Sequence, residues 1–144
     1  MNSKTFGKIG EMKVTLYLLE RGYSVFTEYG DNSEVDLIAI KGTQTIKVQV
    51  KSGKVTKCGN ITLRTHRTTP GTRDTMCKVR PHTKIIDVYA LYITGEDKII
   101  FVTFTETCGQ NPVFRVYPSK NKQQKNIRNF WDFTDCERAF KVLE

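Results

Sequence analysis

The sequence is short of the residues that usually staple or anchor a small protein. Its four cysteines, Cys58, Cys77, Cys108 and Cys136, are scattered through 144 residues with no C-x-x-C pair. That spacing supports neither a zinc module nor a disulfide framework, and free thiols are expected. No run approaches the roughly 18 apolar residues of a membrane span. The opening "MNSKTFGKIGEMKV" has no apolar stretch of the kind a signal peptide needs, so a cytoplasmic protein without membrane association is expected. Internal repeats and low-complexity blocks are also missing. The two histidines, His66 and His82, fall in a basic stretch, where contact with phosphate or solvent is the expected role rather than general-base work.

What is present is an ordinary globular composition, with 38% hydrophobic and 26% charged residues, in a chain long enough for one core of sheet and helix. A single domain over residues 1–144 is expected. The net charge of +8 is unevenly spread. Residues 53–86 hold eight lysines and arginines against one acid, whereas residues 1–52 hold seven against six. So local an excess suits a polyanion, and a phosphate backbone is the commonest one.

The order of elements reads α-β-β-β-loop-β-β-α, an α/β chain with a central mixed β-sheet flanked by helices. "KTFGKIGEMKVTLYLLERG" predicts a first helix, with Met12, Leu16 and Leu19 as its apolar stripe and Gly22 as its stop. Gly7 and Gly10 suit frayed first turns or a close backbone approach. "YSVFTEY" reads as a strand. "EVDLIAI" and "TIKVQVK" form a hairpin around "KGTQ", the first of them apolar on both faces, as in a central strand. Residues 53–86 read as a long basic loop with one short β-excursion. "DVYALYI" and "KIIFVTF" form a second hairpin around "TGED". In residues 118–144 a basic linker precedes a short helix in which Thr134 and Glu137 have capping-box spacing. Trp131, Phe130 and Phe133 read as core or subunit interface rather than a stacking platform.

In "TIKVQVK", period-two geometry sends Ile46, Val48 and Val50 to one face and Lys47, Gln49 and Lys51 to the other. Asp36, at the start of "DLIAI", interrupts an otherwise apolar strand. A buried carboxylate needs a partner, either a cation such as Lys51 across the hairpin or a metal ion. Glu11 on the first helix can bring a second carboxylate to the same place, making a hard-oxygen site suited to Mg²⁺. Carboxylates, a lysine and a phosphate-binding surface together are the parts required for metal-assisted phosphodiester hydrolysis.

The pattern Glu11, Asp36 and Gln49-x-Lys51, preceded by "GKIGE", resembles the PD-(D/E)xK nuclease superfamily in its Q-x-K variant. It is similar above all to the homing endonucleases of cyanobacterial group I introns and also to archaeal Holliday-junction resolvases. The resemblance implies a restriction-endonuclease-like core. Asp36 would be the central metal ligand, the backbone carbonyl of Val50 a second, and Glu11 a ligand directly or through water. Lys51 would position the attacking water and stabilise charge on the phosphate. Gln49 replaces the more usual carboxylate, which removes one negative charge and leaves one or two Mg²⁺ ions open, with Mn²⁺ as a substitute. The partner implied is double-stranded DNA, met by Lys54, Lys57, Arg64, Arg67, Arg73, Lys78, Arg80 and Lys84, with Lys120, Lys122, Lys125 and Arg128 as a second basic strip. A homodimer or homotetramer is expected, because one small subunit cannot span a long site. The alternatives are a junction resolvase and a DNA-binding module in which Asp36 and Lys51 form a structural pair.

Overall fold

The structure, a computed structural model, describes residues 1–30, 32–70, 77–81, 85–118, 121 and 127–143, with the backbone alone for 66–70 and 77–81. Helix α1 spans Ser3–Glu20 and is capped by Asn2, whose side chain accepts from the Thr5 N–H at 2.9 Å. Its buried face is Gly10, Val14 and Leu18, which corrects the expected stripe: Met12, Leu16 and Leu19 are 66%, 54% and 51% exposed. Two sets of residues share helical spacing here, and the winning set begins at a glycine. A Cβ on Gly10 would collide with Ser52 Oγ, so the missing side chain is what lets the helix lie against the sheet.

Strands β1 (Ser24–Thr27), β2 (Leu37–Lys41) and β3 (Gln44–Lys54) form an antiparallel meander, and Gly42 at φ 61° sits in the turn between β2 and β3. Strands β7 (Val88–Thr94) and β8 (Lys98–Thr103) form the second hairpin, and β7 pairs with β3 in parallel. The resulting order is β1-β2-β3-β7-β8. Strand β3 is the middle strand, and β2, which carries "LIAIK", is interior as expected, flanked by β1 and β3. Ile46 and Val48 are fully buried and Val50 nearly so, as the alternation predicts.

Each face of the sheet has its own core. On one side α1 and α2 (Cys136–Lys141) cover Ile46, Val48, Ala90 and Phe101. On the other, a small sheet of β4 (Asn60–Thr62), β9 (Val113–Arg115) and β10 (Arg128–Asn129) covers Tyr89, Leu91, Ile93 and Val102. Covering both faces is what a parallel pair such as β3–β7 requires, and it explains why six successive residues of β7 are buried.

The stretch read as a loop contains more structure than expected. Strand β3 runs on to Lys54, β4 follows, and β5 (His66–Pro70) pairs with β6 (Cys77–Pro81) in an antiparallel ribbon. Strands β4, β5 and β6 are three to five residues long and dominated by Thr, Arg and Lys apart from Ile61, Cys77 and Val79, too short for a period to mark them. At the C-terminus a 3₁₀ turn, Phe130–Phe133, precedes α2. The cap of α2 is Asp135, which accepts from the Glu137 N–H at 3.0 Å, and not Thr134. The Thr134 hydroxyl donates to the Trp131 carbonyl instead. Phe133 packs edge-on against Phe114 in the second core, while Trp131 is half exposed. Cys58, Cys108 and Cys136 are free thiols. Among the described residues no helix is long and apolar enough to cross a membrane.

Candidate active site

Asp36 stands at the head of β2. Its N–H donates to the Val48 carbonyl at 2.9 Å, which extends the β2–β3 ladder by one step and turns the carboxylate onto β3. There Oδ2 accepts from Gln49 Nε2 at 2.9 Å and from the Val50 N–H at 2.8 Å. The Gln49 amide and a strand N–H thus hold Asp36, and Lys51 contributes through its charge.

The carboxyl is pushed up from its usual 3.8 to about 6. Burial is the largest cause. The Val50 N–H pulls the other way, the nearby Glu11 charge adds to the rise, Lys51 opposes it, and Glu28 adds a little more. Two donors and a lysine do not overcome the desolvation, so the site is short of positive charge.

Glu11 and Asp36 line one cleft of about 200 Å³ between α1 and the end of β1. Gly10, by allowing close contact at Ser52, seats α1 against β3 one residue before Glu11. Glu11 is paired with Lys8 Nζ at 3.1 Å. Glu28 lines the same cleft and was not singled out from the sequence. Its carboxylate accepts from the N–H groups of Asn32 and Ser33, shaping the turn that leads into Asp36. Its position directly after β1 was the available signal.

Gln49 supplies the observation that bears on a metal. Its Oε1 is buried and has no hydrogen-bond partner among the described residues, an arrangement that is costly unless something supplies positive charge or a proton. Both hydrogen bonds to Asp36 land on Oδ2. No group of three or more His, Cys, Asp or Glu among the described residues can hold a metal ion, so carboxylates alone do not make a complete site. Two carboxylates, an open amide oxygen and the strand carbonyl of Val50 are a hard-oxygen donor set that fits Mg²⁺ or Mn²⁺ with water completing the shell.

The basic residues are less fully described. Lys54, at the end of β3, lies over the Phe6 ring at 4.9 Å; Lys57 and Arg64 are exposed. Arg67 and Arg80 occupy opposed positions in the β5–β6 ribbon, and Lys78 opposes Thr69. Arg73, Lys84, Lys120, Lys122, Lys125 and His82 lie outside the described residues. Arg128 donates to the Glu106 carbonyl at 3.3 Å, a contact within the protein.

A helix carrying Glu11, a strand headed by Asp36 and a central strand bearing Gln49-x-Lys51 are arranged as in a restriction-endonuclease-like core. The sequence pattern of the PD-(D/E)XK endonucleases matches residues 1–136, and the chain belongs to that family, whose members generally use divalent metals. In structure it is similar to a bacterial homing endonuclease, I-Ssp6803I, with a TM-score of 0.79 at 20% identity, covering 99% of this chain and 93% of that one. No curated protein matches the sequence.

Proposed function

We propose that the protein is a metal-dependent, site-specific endonuclease acting on double-stranded DNA, of the homing type. The observation that carries this reading is the Asp36–Gln49–Val50 cluster, with its raised carboxyl and orphaned Gln49 Oε1, beside Glu11 and Lys51. Asp36, Glu11, Gln49 Oε1 and the Val50 carbonyl would hold Mg²⁺, with Mn²⁺ as a substitute. The ion would supply Lewis-acid stabilisation of charge on the phosphate. Lys51 then orients the attacking water, favours its hydroxide form and stabilises charge on the phosphoryl oxygens. Gln49 acts through its amide, donating to Asp36 from one end and offering an oxygen from the other.

The β5–β6 ribbon supports duplex recognition over four-way-junction shape, since a two-stranded ribbon fits the major groove. The register sets Arg67 opposite Arg80, and an arginine in each strand is the composition a phosphate backbone calls for. Lys54, Lys57, Arg64 and the ribbon would contact DNA, and a dimer or tetramer would bring one site to each strand.

The test is Lys51→Ala. The variant is expected to fold with unchanged thermal stability, to bind duplex DNA in chelator and to leave no cuts when Mg²⁺ is added to a pool of long random duplexes and a mobile four-way junction. Cuts confined to the junction in the parent would replace this reading with a resolvase. A parent that binds without cutting, together with a destabilised variant, would make the Asp36–Lys51 region structural.

A further inference from the structure

The β5–β6 ribbon leaves the body of the protein at Thr65, and the way that residue is held is unusual for an exit point. Thr65 is only 4% exposed. Its N–H donates to Asn111 Oδ1 at 2.8 Å, and its hydroxyl donates to the Gln110 carbonyl at 2.8 Å with Asn111 Oδ1 also within reach at 3.1 Å. Two residues earlier, the N–H of Leu63, which is fully buried, donates to the Pro112 carbonyl at 2.9 Å. Between these pins Arg64 is exposed.

The receiving segment is itself braced. Gln110 donates its N–H to the Thr107 carbonyl, and Cys108 and Gly109 take left-handed conformations at φ 52° and 70° to bring the chain round. Glu106, one residue before Thr107, is bonded to Arg138 on α2. Polar contacts, joined by one stretch of chain from Glu106 to Thr107, therefore run from α2 to the foot of the ribbon. The other foot is equally fixed: Ile86 is buried, and Asp87 exchanges its N–H and its carboxylate with the backbone of Lys47, two residues before Gln49.

A buried, hydrogen-bonded residue at the root of a ribbon fixes the direction in which the chain leaves the body. We infer that Thr65 and Asn111 are positioning residues for DNA recognition, a clasp that aims Arg64 and the ribbon relative to the cutting site and so sets where the enzyme cuts. The inference rests on the DNA-binding role proposed for the ribbon.

The experiment compares the parent with Thr65→Val, which keeps the shape and loses the hydroxyl, and Thr65→Ser, which keeps the hydroxyl. Each is incubated with Mg²⁺ and a pool of long random duplexes, and every new end is sequenced. Thr65→Val is expected to widen the recognised sequence, lowering discrimination between preferred and non-preferred sites about tenfold, the worth of one lost hydrogen bond. Its total cutting rate at saturating DNA stays within about twofold of the parent, and Thr65→Ser cuts like the parent. A purely structural threonine would lower melting temperature and total cutting together and leave the preferred sequence intact, and that result overturns the inference. Asn111→Ala gives a second route should Thr65→Val fail to fold. The double variant Arg67→Ala, Arg80→Ala separates the two levels. Unchanged duplex affinity there refutes the ribbon as DNA reader, whereas lost affinity together with an unaltered Thr65→Val preference refutes only the clasp.

Discussion

Replacing Asp36 by asparagine is expected to make the protein more stable while removing its activity. In the folded protein the carboxyl ionises near 6, against 3.8 when unperturbed. The folded state therefore binds more protons than the unfolded chain between those values, and stability falls as pH rises from about 4 through 6. A rise of that size is worth about 3 kcal/mol for a wholly buried group. The Asp36 carboxyl keeps part of its surface in water, and screening reduces the figure to about 1–2 kcal/mol. Asparagine cannot ionise and keeps one carbonyl oxygen for the Gln49 and Val50 donors. Urea unfolding in chelator at pH 7.5 should place Asp36→Asn about 1–2 kcal/mol above the parent, and the gap should narrow as pH falls through 6 and close only below the unperturbed 3.8. Mn²⁺ at pH 7.5 should stabilise the parent and leave the variant unmoved. A variant that is less stable than the parent at pH 7.5, or a gap independent of pH, would refute the claim that desolvation dominates at this carboxylate.

Further predictions follow from the same reasoning. Gln49→Glu places a carboxylate beside Asp36, so it should destabilise the protein in chelator and tighten Mn²⁺ binding about tenfold or more by calorimetry. At Glu106, burial pushes the carboxyl up, but the hydrogen bonds from Arg138 and the Thr103 N–H outweigh it and hold the group below its usual 4.5. The stability it supplies is present above pH 4.5 and is lost as pH falls through the lowered value. Glu106→Gln should therefore cost about 1–3 kcal/mol at pH 7 and less at pH 3, by denaturant unfolding at both. Leu18→Ala should cost about 2–5 kcal/mol and Leu16→Ala less than about 1 kcal/mol, the reverse of what the Met12–Leu16–Leu19 stripe implies.

The half of the molecule that carries the candidate site was legible because it is built on strong periods. Ile46, Val48 and Val50 alternate with Lys47, Gln49 and Lys51, and an aspartate in "DLIAI" is conspicuous for its cost. The face of α1 was misread because hydrophobicity was scored where contact mattered: Gly10 contributes by having no side chain, and a glycine does not register as core. In the sequence a lysine or a metal ion is open as the partner of Asp36, and the hairpin register adds an amide and a backbone N–H within hydrogen-bonding distance, which charge alone does not reveal. Strands β4, β5 and β6 were hidden because three to five residues dominated by Thr, Arg and Lys are too short a run for a period to mark, and the Asp135 cap lay one residue from a motif that matched better on paper.

Strands β3 and β7 lie side by side and point the same way, so the chain must travel back from the end of one to the start of the other. Many folds make that return with a helix, whereas this one spends it on β4 and the β5–β6 ribbon. The return path is thus a socket. Strand β3 is complete before the detour begins and the sheet resumes only after it ends, so a ribbon of different length or composition can be spliced between Thr65 and Ile86 at little cost in chain entropy. The return path can therefore change in length or composition while the five-stranded sheet on either side of it keeps its register.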